Sequence, residues 1–437
     1  LYLNPRFKFD EKGAINLQEK MSEVFNNIIE PTGLTKKQLG TRKEFPIILQ
    51  KLLPEGETVP TKQGKKEIIP ALAKDDVGMQ LLLAHSDKKV RELCEARIAI
   101  KSWPTHIKRV ESMMAQAKCS GGLLRVPLHY YGGHLGRWSG GEKINLQNLG
   151  GRGRAGSGNH PLLGLVRRLL GTPDGWVLLI SDSAQIEARL LAWFASQSDL
   201  LQGFANDEDI YSVFATGLFG EEVRKPKDGD LEELIEVLKI RRGFGKDAIL
   251  GCGYGMGAKK FYDRCRSNPD LRPLFDNGQY NFAFIERLIK TYRTKYMRIP
   301  EFWKAVELAF KWVVKYPHET RTLYDNTPAR NPRLVFWNDC GTVNLQLPSG
   351  RVLYYRHCSM NKKKELRWHH GHLWGGSITE NIVQATARDL LAYWLLICEE
   401  EGLPIIFHNH DELVAITEER HEASELRHII KTMLRKP

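Results

Sequence analysis

Two aspartates in this sequence stand where they could hold divalent cations. Asp182 ends the apolar run 176–182, which is typical of a buried strand that delivers an acid to the edge of a sheet. Asp411 lies in a His-Asp-Glu turn between the two apolar stretches of 403–416. Carboxylates at one sheet edge could hold two Mg²⁺ ions about 3.5–4 Å apart, and these would clamp the attacking and leaving oxygens of a transferred phosphoryl group. The alternative for Asp182 is the N-cap of the helical sequence that follows.

A second group of side chains recurs at every fourth position of 241–257: Arg242, Lys246, Leu250 and Tyr254. On a helix this spacing places all four on one face, where two cations precede an apolar and an aromatic side chain. That surface suits a nucleoside triphosphate, because the cations can meet the phosphates and the flat part can meet the base and sugar. The alternative is an ordinary amphipathic helix with Tyr254 turned inward. A glycine-rich phosphate loop fits less well, because Lys246 is followed by Asp247 rather than by Ser or Thr.

The composition is that of a basic protein with room for two or three lobes. The chain has 437 residues, with 64 Lys and Arg against 52 Asp and Glu, so its formal net charge is +12. This surplus fits a polyanionic partner, nucleic acid foremost, and no apolar run approaches a membrane span. Seven cysteines without a Cys-x-x-Cys pair indicate reduced intracellular thiols rather than a disulfide framework.

One cluster has the residue types of a zinc site: His357, Cys358, His369, His370 and His372. Its spacing matches no standard ligand pattern. We therefore interpret these residues as loop residues near DNA or solvent.

The elements upstream of Asp182 are predicted from periodicity. Helices are expected around 16–29 and over 76–117, the second broken or bent near Pro104, and a strand is expected over 123–131. Arg137 in a glycine setting, then the amides of 145–148 and the glycine-rich basic loop 150–158, suit contact with groove edges and phosphates. The alternative for this segment is a polar loop that caps the next element.

The elements downstream are predicted to be mostly helical. A helix is expected over 184–195, followed by helical sequence over 200–330 with a charged helix at 230–239. A hairpin over 340–357 and a basic loop at 361–367 come next. A long helix over 378–400, which carries Gln384 and Arg388, and an amphipathic helix over 418–435 complete the chain. Six glycines within 241–257 weaken its helix by about 1 kcal/mol each against alanine. This favours close packing against a ligand or an element that moves.

Together these segments resemble the three polymerase motifs of the family A DNA polymerases, the family of bacterial DNA polymerase I and many phage replicases. The first motif, Asp-x-x-Gln-Ile-Glu-x-Arg-x-x-Ala, stands at 182–192. The second, with Arg, Lys, an apolar or aromatic residue and Tyr at four-residue intervals, stands at 242–255, and His-Asp-Glu stands at 410–412. Gly-Arg-x-Ser at 136–139 and Asn-Leu-Gln-Asn at 145–148 fit too, and the resemblance covers about 45–420.

The resemblance implies an α+β fold of right-hand form, with a thumb, a palm built on an antiparallel sheet, and helical fingers. The implied divisions are a connecting segment at 1–40, the thumb at 41–120, the first part of the palm at 121–200, the fingers at 201–335 and the second part of the palm at 336–437. The implied enzyme is a template-directed DNA polymerase that adds dNTPs to a primer 3′-OH by two-metal-ion nucleotidyl transfer. Its expected partners are primer–template DNA, dNTPs and replication accessory proteins. We expect a monomer without membrane association, located inside the cell, in the host cytoplasm if the protein is viral.

The family's metal and triphosphate roles carry over to five residues. Asp182 and Asp411 are similar to the two metal-binding aspartates, with the backbone carbonyl of Ser183 as a further ligand. The implied cofactor is a pair of Mg²⁺ ions, with Mn²⁺ as an expected substitute. Arg242 and Lys246 resemble the triphosphate contacts on the fingers helix, and Lys246 also resembles the proton donor to the leaving pyrophosphate.

The resemblance also implies a nucleotide pocket. Leu250 and Tyr254 would lie over the base and sugar, and Glu187, held by Tyr254, would leave no room for a ribose 2′-hydroxyl. Gln185 belongs to the same site, as does Tyr211, which takes a position usually held by a phosphate-binding histidine.

The implied DNA contacts lie in four segments. They are Arg137 and Gln384 in the minor groove near the primer end, Gln147 on the template side, His410 at the primer terminus, and Asn145 as a further DNA contact.

Departures from the family pattern are few. Ser183 and Ala184 replace the usual Tyr-Ser, Leu250 stands where Phe or Tyr is commonest, and Glu380 replaces an asparagine. The first residue is Leu1 rather than methionine, so we expect a fragment or a trimmed product. We expect no 3′–5′ exonuclease domain ahead of the implied thumb within these 437 residues, and we expect the family's final palm strand to be missing from them.

Two other interpretations stay open from the sequence. A single-subunit RNA polymerase shares the Lys-to-Tyr-Gly spacing, but Glu187 and the His-Asp-Glu motif argue against it. A non-catalytic DNA-binding relative is the other, and the intact Asp182, Asp411 and Lys246 argue against that.

Overall fold

The computed structural model describes residues 6–64, 67–74, 76–149, 160–268, 270–323 and 334–435. Its helices are α1 (Glu11–Ile29), α2 (Lys36–Gly40), α3 (Glu44–Leu52), α4 (Val77–Leu83), α5 (Lys88–Cys119), α6 (Pro161–Leu165), α7 (Ile186–Phe194), α8 (Ser198–Ala205), α9 (Ile210–Phe219), α10 (Glu232–Cys252), α11 (Ala258–Ser267), α12 (Arg272–Asp276), α13 (Phe282–Lys295), α14 (Arg298–Lys315), α15 (Gly375–Glu400) and α16 (Glu422–Met433). Its strands are β1 (Phe7–Phe9), β2 (Thr61–Gln63), β3 (Ile68–Pro70), β4 (Leu123–Leu124), β5 (Leu128–His129), β6 (Ser139–Gly140), β7 (Leu170–Gly171), β8 (Trp176–Asp182), β9 (Arg321–Leu323), β10 (Leu334–Asp339), β11 (Thr342–Gln346), β12 (Val352–Tyr355), β13 (Ser359–Met360), β14 (Leu366–Trp368), β15 (Gly371–Leu373), β16 (Ile405–Asn409) and β17 (Glu412–Glu418).

The chain forms two units, each assembled from separated stretches. One contains Leu1–His129, Ser139–Leu178 and Tyr262–Gln279, and the other contains Tyr130–Trp138, Leu179–Phe261 and Tyr280–Pro437. The glycine-rich loop predicted at 150–158 lies outside the described residues.

In the first unit, α1 packs along α5 through an apolar stripe. The buried side chains of α1 recur at three- and four-residue intervals: Ala14, Leu17, Met21, Phe25 and Ile29. Asp10 starts this helix by accepting a hydrogen bond from the N–H of Gly13 at 2.9 Å. The helix predicted around 16–29 is confirmed.

The second predicted helix divides at a different place from the one expected. α5 runs through Pro104, and the break falls at 84–87, between α4 and α5. A proline removes one backbone donor, which a helix with buried side chains on both sides of it can tolerate. The boundary is set instead by Asp87, whose carboxylate accepts a hydrogen bond from the N–H of Lys89 at 2.7 Å and so caps α5.

The strand predicted over 123–131 is two short strands that belong to different sheets. β4 pairs with β1, which also pairs with β7, whereas β5 pairs with β6. Pro127 lies between β4 and β5 and has no N–H to donate, so a single ladder cannot run through it.

In the second unit, β16, β17 and β8 form a three-stranded sheet in that order. β16 and β17 are antiparallel and largely buried, which confirms the predicted pair of strands around the His-Asp-Glu turn. β8 is present as predicted, but the expectation of a buried strand was wrong. Leu179 is buried and Ile180 is 57% exposed, because β8 has one partner strand within the described residues and lies at the edge.

The long helix predicted over 378–400 is α15, which packs against α14 and α7. Glu380, Gln384 and Arg388 recur at four-residue spacing along it and therefore share one side. The predicted hairpin over 340–357 is confirmed as β11 and β12, which lie in the antiparallel sheet β12–β11–β10–β9.

Two further features concern the cysteines and the composition of the helices. All seven cysteines are free, and burial raises the pKa of the Cys252 thiol to about 12. Within the described ranges, none of the helices combines the length and the apolar character that crossing a bilayer would require.

Candidate active site

Asp182 and Asp411 come together where β8 ends beside the turn between β16 and β17. Asp182 is the last residue of β8, and Asp411 lies in that turn. The backbone N–H of the next residue, Ser183, donates a hydrogen bond to the carbonyl of Asp411 at 2.9 Å. This bond fixes the register between the strand end and the turn, so the two acids belong to one site.

The electrostatics of this pair are those of two acids that repel each other. Burial, followed by the charge of Asp182, raises the pKa of Asp411 to about 6. The carboxylate of Glu187 acts in the same direction, and the guanidinium of Arg137 opposes it. A cation bound between the aspartates would relieve this repulsion.

The donor set fits Mg²⁺ better than zinc. Mg²⁺ is typically held by one or two carboxylates together with water and substrate phosphate oxygens. In the part of the chain that the structure describes, no group of three or more His, Cys, Asp or Glu side chains could hold a metal ion. That holds for the His357–His372 segment too, whose rings contact one another instead, with the His369 and His370 centroids 4.8 Å apart.

Two residues near these aspartates have left-handed backbone conformations. Gln185, at the N-cap of α7, has φ +57°, and His410, in the turn, has φ +53°. Non-glycine residues rarely adopt this region, and such strain is concentrated at functional sites. Burial and the nearby Arg137 lower the pKa of the His410 ring, against an opposing effect of Glu187.

The helix that carries the four-residue repeat is longer than predicted. The charged segment at 230–239 and the start of the repeat form one helix, α10. Arg242 is partly exposed, and Lys246 and Leu250 are exposed, on the side opposite the buried Phe244 and Ile249. Tyr254 lies beyond the end of α10, in a turn where Gly255 has φ +80°. The expectation of four side chains on one helix face was therefore right for three of them.

A glycine of α10 is required by helix packing. A Cβ at Gly245 would lie 2.2 Å from the carbonyl oxygen of Tyr211, on α9. Only glycine therefore lets α9 and α10 approach this closely. Close packing between two helices accounts for this position, where the sequence favoured a ligand or a moving element.

Arg242 has an acidic partner that sequence reasoning missed. Its Nε and Nη2 donate to the two carboxylate oxygens of Asp209 at 2.6 and 3.0 Å. Burial works in the opposite direction, but the hydrogen bonds from Arg242 and Ser212 lower the pKa of Asp209. The guanidinium lies 5.3 Å from the ring centre of Tyr211, which is buried beneath it.

Both carboxylate oxygens of Glu187 have partners. The Tyr254 hydroxyl donates to Oε2 at 3.1 Å, which is the contact expected from the sequence, and Arg137 Nη2 donates to Oε1 at 2.7 Å. Burial and the neighbouring Glu187 raise the pKa of the Tyr254 hydroxyl, so it remains a donor. Arg137, expected at the DNA minor groove, pairs with Glu187 in this structure.

Glu380, on α15, is a second acid close to Glu187 and Arg137. Burial and the charge of Glu187 raise the pKa of Glu380, against the opposing charges of Lys260 and Arg137. Gln384 Nε2 donates to Glu380 Oε1 at 3.4 Å. Gln384 and Glu380 are therefore grouped with Glu187 and Arg137.

The loop that carries Arg137 is held by Arg388, which the sequence placed on a helix without a role. Arg388 is 6% exposed, and its Nε donates to the carbonyl of Gly136 at 2.8 Å. Its guanidinium lies 4.6 Å from the ring centre of Trp138 and 3.2 Å from Asp389. A lone arginine among the apolar residues of a buried helix is the signal that could have identified it.

Asn145 and Gln147, both expected to contact DNA, belong to the first unit. Asn145 has φ +38° and precedes a 3-10 turn, Leu146–Asn148, in which Gln147 is buried. Asn145 Oδ1 and Gln147 Nε2 are buried without a hydrogen-bond partner among the described residues.

Comparison with known proteins gives a consistent family. The family model for DNA polymerase family A matches residues 10–312. A DNA polymerase of Bacillus phage SP02 is 29% identical over 388 residues, which cover 79% of this chain and 54% of the phage protein. DNA polymerase I of Helicobacter pylori strain J99 is 31% identical over 151 residues, or 34% of this chain and 14% of that protein. The chain thus spans about half the length of the phage relative.

A solved structure gives the fold. The polymerase domain of Pol1 from M. smegmatis, in complex with DNA primer-template and dNTP, matches with a TM-score of 0.64 and 18% identity, over 98% of this chain and 64% of that one. The α+β, right-hand polymerase fold predicted from the sequence is thereby confirmed. With the family model covering residues 10–312, this chain belongs to DNA polymerase family A.

Proposed function

We propose that this chain is the polymerizing part of a template-directed DNA polymerase, which adds deoxynucleotides to a primer 3′-OH. The observation that carries the proposal is the pair of aspartates joined through the Ser183–Asp411 hydrogen bond. Burial and the charge of Asp182 raise the pKa of Asp411, and a divalent cation bound between the two carboxylates would offset both effects.

Asp182, Asp411 and the carbonyl of Ser183 would hold the metal, Mg²⁺ with Mn²⁺ as a substitute. Two such ions would stabilise the negative charge that develops on the transferred phosphoryl group. The protein's part is to hold both carboxylates on a rigid strand end and turn, so that little reorganisation accompanies the reaction.

α10 would bind the incoming triphosphate. Lys246 is exposed on this helix, and we assign it both phosphate binding and proton donation to the leaving pyrophosphate. Arg242 gives its Nε and Nη2 to Asp209, which leaves Nη1 for a phosphate oxygen. Tyr211 supports Arg242 from below rather than facing the phosphates directly.

Sugar selection would depend on Glu187. Because Arg137 and Tyr254 hold its two oxygens, its carboxylate cannot easily turn away from a ribose 2′-hydroxyl. Leu250 and Tyr254 would contact the base and sugar, with Gln185 beside them.

The DNA contacts are assigned by type. Arg137, Gln384 and His410 would meet the primer side, whereas Asn145 and Gln147 would meet the template through their unpartnered amide atoms.

The subdomain divisions proposed are a connecting segment at 1–40, thumb at 41–120, palm at 121–200 and 336–437, and fingers at 201–335. We propose that these residues act as a monomer with replication accessory proteins, and without proofreading of their own.

Primer extension tests the proposal. The chain should extend a labelled primer on a DNA template with dNTPs and Mg²⁺, and should stop when the metal is chelated. Preferential extension with rNTPs would indicate a single-subunit RNA polymerase instead. Tight duplex binding without extension by either substrate would indicate a non-catalytic relative.

A further inference from the structure

The sheet β13–β14–β15 carries a marked excess of positive charge. Residues 356–372 contain five Lys and Arg, four His and one acid, Glu365. The basic loop and the histidines of this segment stand out in the sequence, and the proposed active site uses none of them.

The pairing of the strands defines which side chains face solvent. Arg367 lies opposite Ser359 on one side and His372 on the other, and these three are exposed. Leu366 and Leu373 pair on the opposite, buried face. Arg367 and His372 therefore lie side by side on the outer face of the sheet.

The turn between β13 and β14 holds three consecutive lysines in place: Lys362, Lys363 and Lys364. Asn361 Oδ1 accepts hydrogen bonds from the N–H groups of Lys363 and Glu365, both at 2.9 Å. Asn361 Nδ2 in turn donates to Glu365 Oε2 at 2.6 Å. This set of bonds orders the turn before any partner binds, which lowers the entropic cost of binding.

The acidic side chains near these cations already form hydrogen bonds or ion pairs with other groups. Glu365 is bound to Asn361, and that hydrogen bond, followed by the charges of Lys363, His372 and Arg367, lowers its pKa. Glu307 on α14 is bound to Lys311 and to the N–H of Gly375. Across the described ranges, none of Lys362, Lys363, Lys364 and Arg367 forms an ion pair, so their charge remains available.

Aromatic rings stand at the other end of β14. The ring centre of His370 lies 4.6 Å from that of Trp368 and 4.8 Å from that of His369. β14 itself spans Leu366–Trp368, between the lysine turn and the turn that carries His369 and His370. A row of cations that ends in exposed rings is the usual composition of a surface that binds single-stranded nucleic acid, where the rings stack on bases.

We propose that the exposed side chains of this sheet and of its two turns bind single-stranded DNA, with the lysine turn and Arg367 on the phosphates and the His369–His370 rings on the bases. Given the proposed function, the strand would be the unpaired template. An acidic protein would match the cations but would leave the ring cluster without a role.

The test measures DNA binding by fluorescence anisotropy, without catalysis, for the wild type and a Lys362→Ala/Lys363→Ala/Lys364→Ala variant. The probes are a single-stranded oligonucleotide, a blunt duplex, and a primer–template with a long 5′ overhang. Loss of three phosphate contacts should weaken single-strand and overhang binding by about tenfold or more at low salt, and should lower the salt slope of log K by about 2. Blunt-duplex binding should be unchanged.

A second variant and a control complete the test. His370→Ala should weaken single-strand binding by about fivefold without changing the salt slope, because stacking releases no counterions. Lys12→Ala/Lys20→Ala/Lys431→Ala removes three exposed lysines from other elements and should change nothing. Equal weakening for the blunt duplex, or no change with any probe, would overturn the proposal. Failure of the proposed function would appear separately, as a wild type that does not extend primers.

Discussion

The backbone N–H of Ser183 donates to the carbonyl of Asp411 at 2.9 Å, and this bond joins the end of β8 to the turn between β16 and β17. The two segments are far apart in the chain, yet their acids become neighbours. Burial, followed by the nearby charge of Asp182, raises the pKa of Asp411. The relationship turns two separate sequence motifs into one candidate cation site.

The sugar-selection assignment is tested at Glu187. Glu187→Ala should raise the rNTP-to-dNTP incorporation ratio by about tenfold or more, because removing the carboxylate opens space beside Tyr254. Single-turnover extension with each nucleotide measures the ratio. Glu301→Ala, at an exposed acid of α14, should leave the ratio unchanged. A flat ratio in the Glu187 variant would locate the selection elsewhere.

Replacing Arg242 and replacing Lys246, the two α10 cations assigned to the triphosphate, should have different kinetic effects. Arg242→Ala should chiefly weaken dNTP binding, since its charge contacts are present before and during the reaction. Lys246→Ala should weaken binding and slow the chemical step by about 10²–10⁴-fold if it donates a proton. Pre-steady-state extension separates the two parameters.

Lys246→Arg sharpens this comparison. Arginine keeps the charge but donates a proton poorly, so it should restore binding better than rate. Arg241→Ala is the matched control for Arg242→Ala, because Arg241 is the neighbouring arginine of α10 but contacts Glu221 instead of Asp209. Equal recovery of both parameters with arginine would leave Lys246 as an electrostatic contact alone.

Two glycines of the same helix should respond in opposite directions to alanine. Gly245→Ala would force a Cβ to 2.2 Å from the Tyr211 carbonyl and should lower the free energy of unfolding by about 1–3 kcal/mol. A Cβ at Gly243 would meet no atom of another element within 4 Å among the described residues, so Gly243→Ala should raise it by up to about 1 kcal/mol through helix propensity. Urea unfolding of both variants measures the difference. Equal effects would contradict the close crossing of α9 and α10.

His134 should make stability depend on pH. Burial, followed by the charges of His370 and Arg351, lowers its pKa to about 4. The unfolded chain therefore takes up the proton first, near pH 6.5, and stability is lost as pH falls from there toward 4. Between pH 7 and pH 5.5 the wild type should lose about 1 kcal/mol more than His134→Phe does. His318→Phe, at an exposed histidine, should behave like the wild type.

The sequence was most informative where function depends on local spacing. Arg242, Lys246 and Leu250 share a helix side because a four-residue period determines that arrangement, and the Tyr254–Glu187 contact followed from a family motif. The strands around Asp411 were recognisable because both are buried and apolar.

The remaining features depend on packing between distant segments, which spacing does not encode. Asp209 contacts Arg242 because α9 packs closely against α10 at Gly245. Arg388 donates to the carbonyl of Gly136, which lies 252 residues earlier in the sequence. Likewise, the apolar composition of β8 did not reveal that it would lie at a sheet edge.

The central claim is that Asp182 and Asp411 hold the catalytic metal, and single-turnover extension with one dNTP at saturating Mg²⁺ tests it most directly. Asp182→Asn and Asp411→Asn should each lower the rate by at least about 10²-fold while duplex affinity stays within about twofold of wild type. Asp228→Asn, at an exposed loop acid, should change neither quantity. An Asp182→Asn or Asp411→Asn variant that extends primers at near wild-type rate would contradict the account.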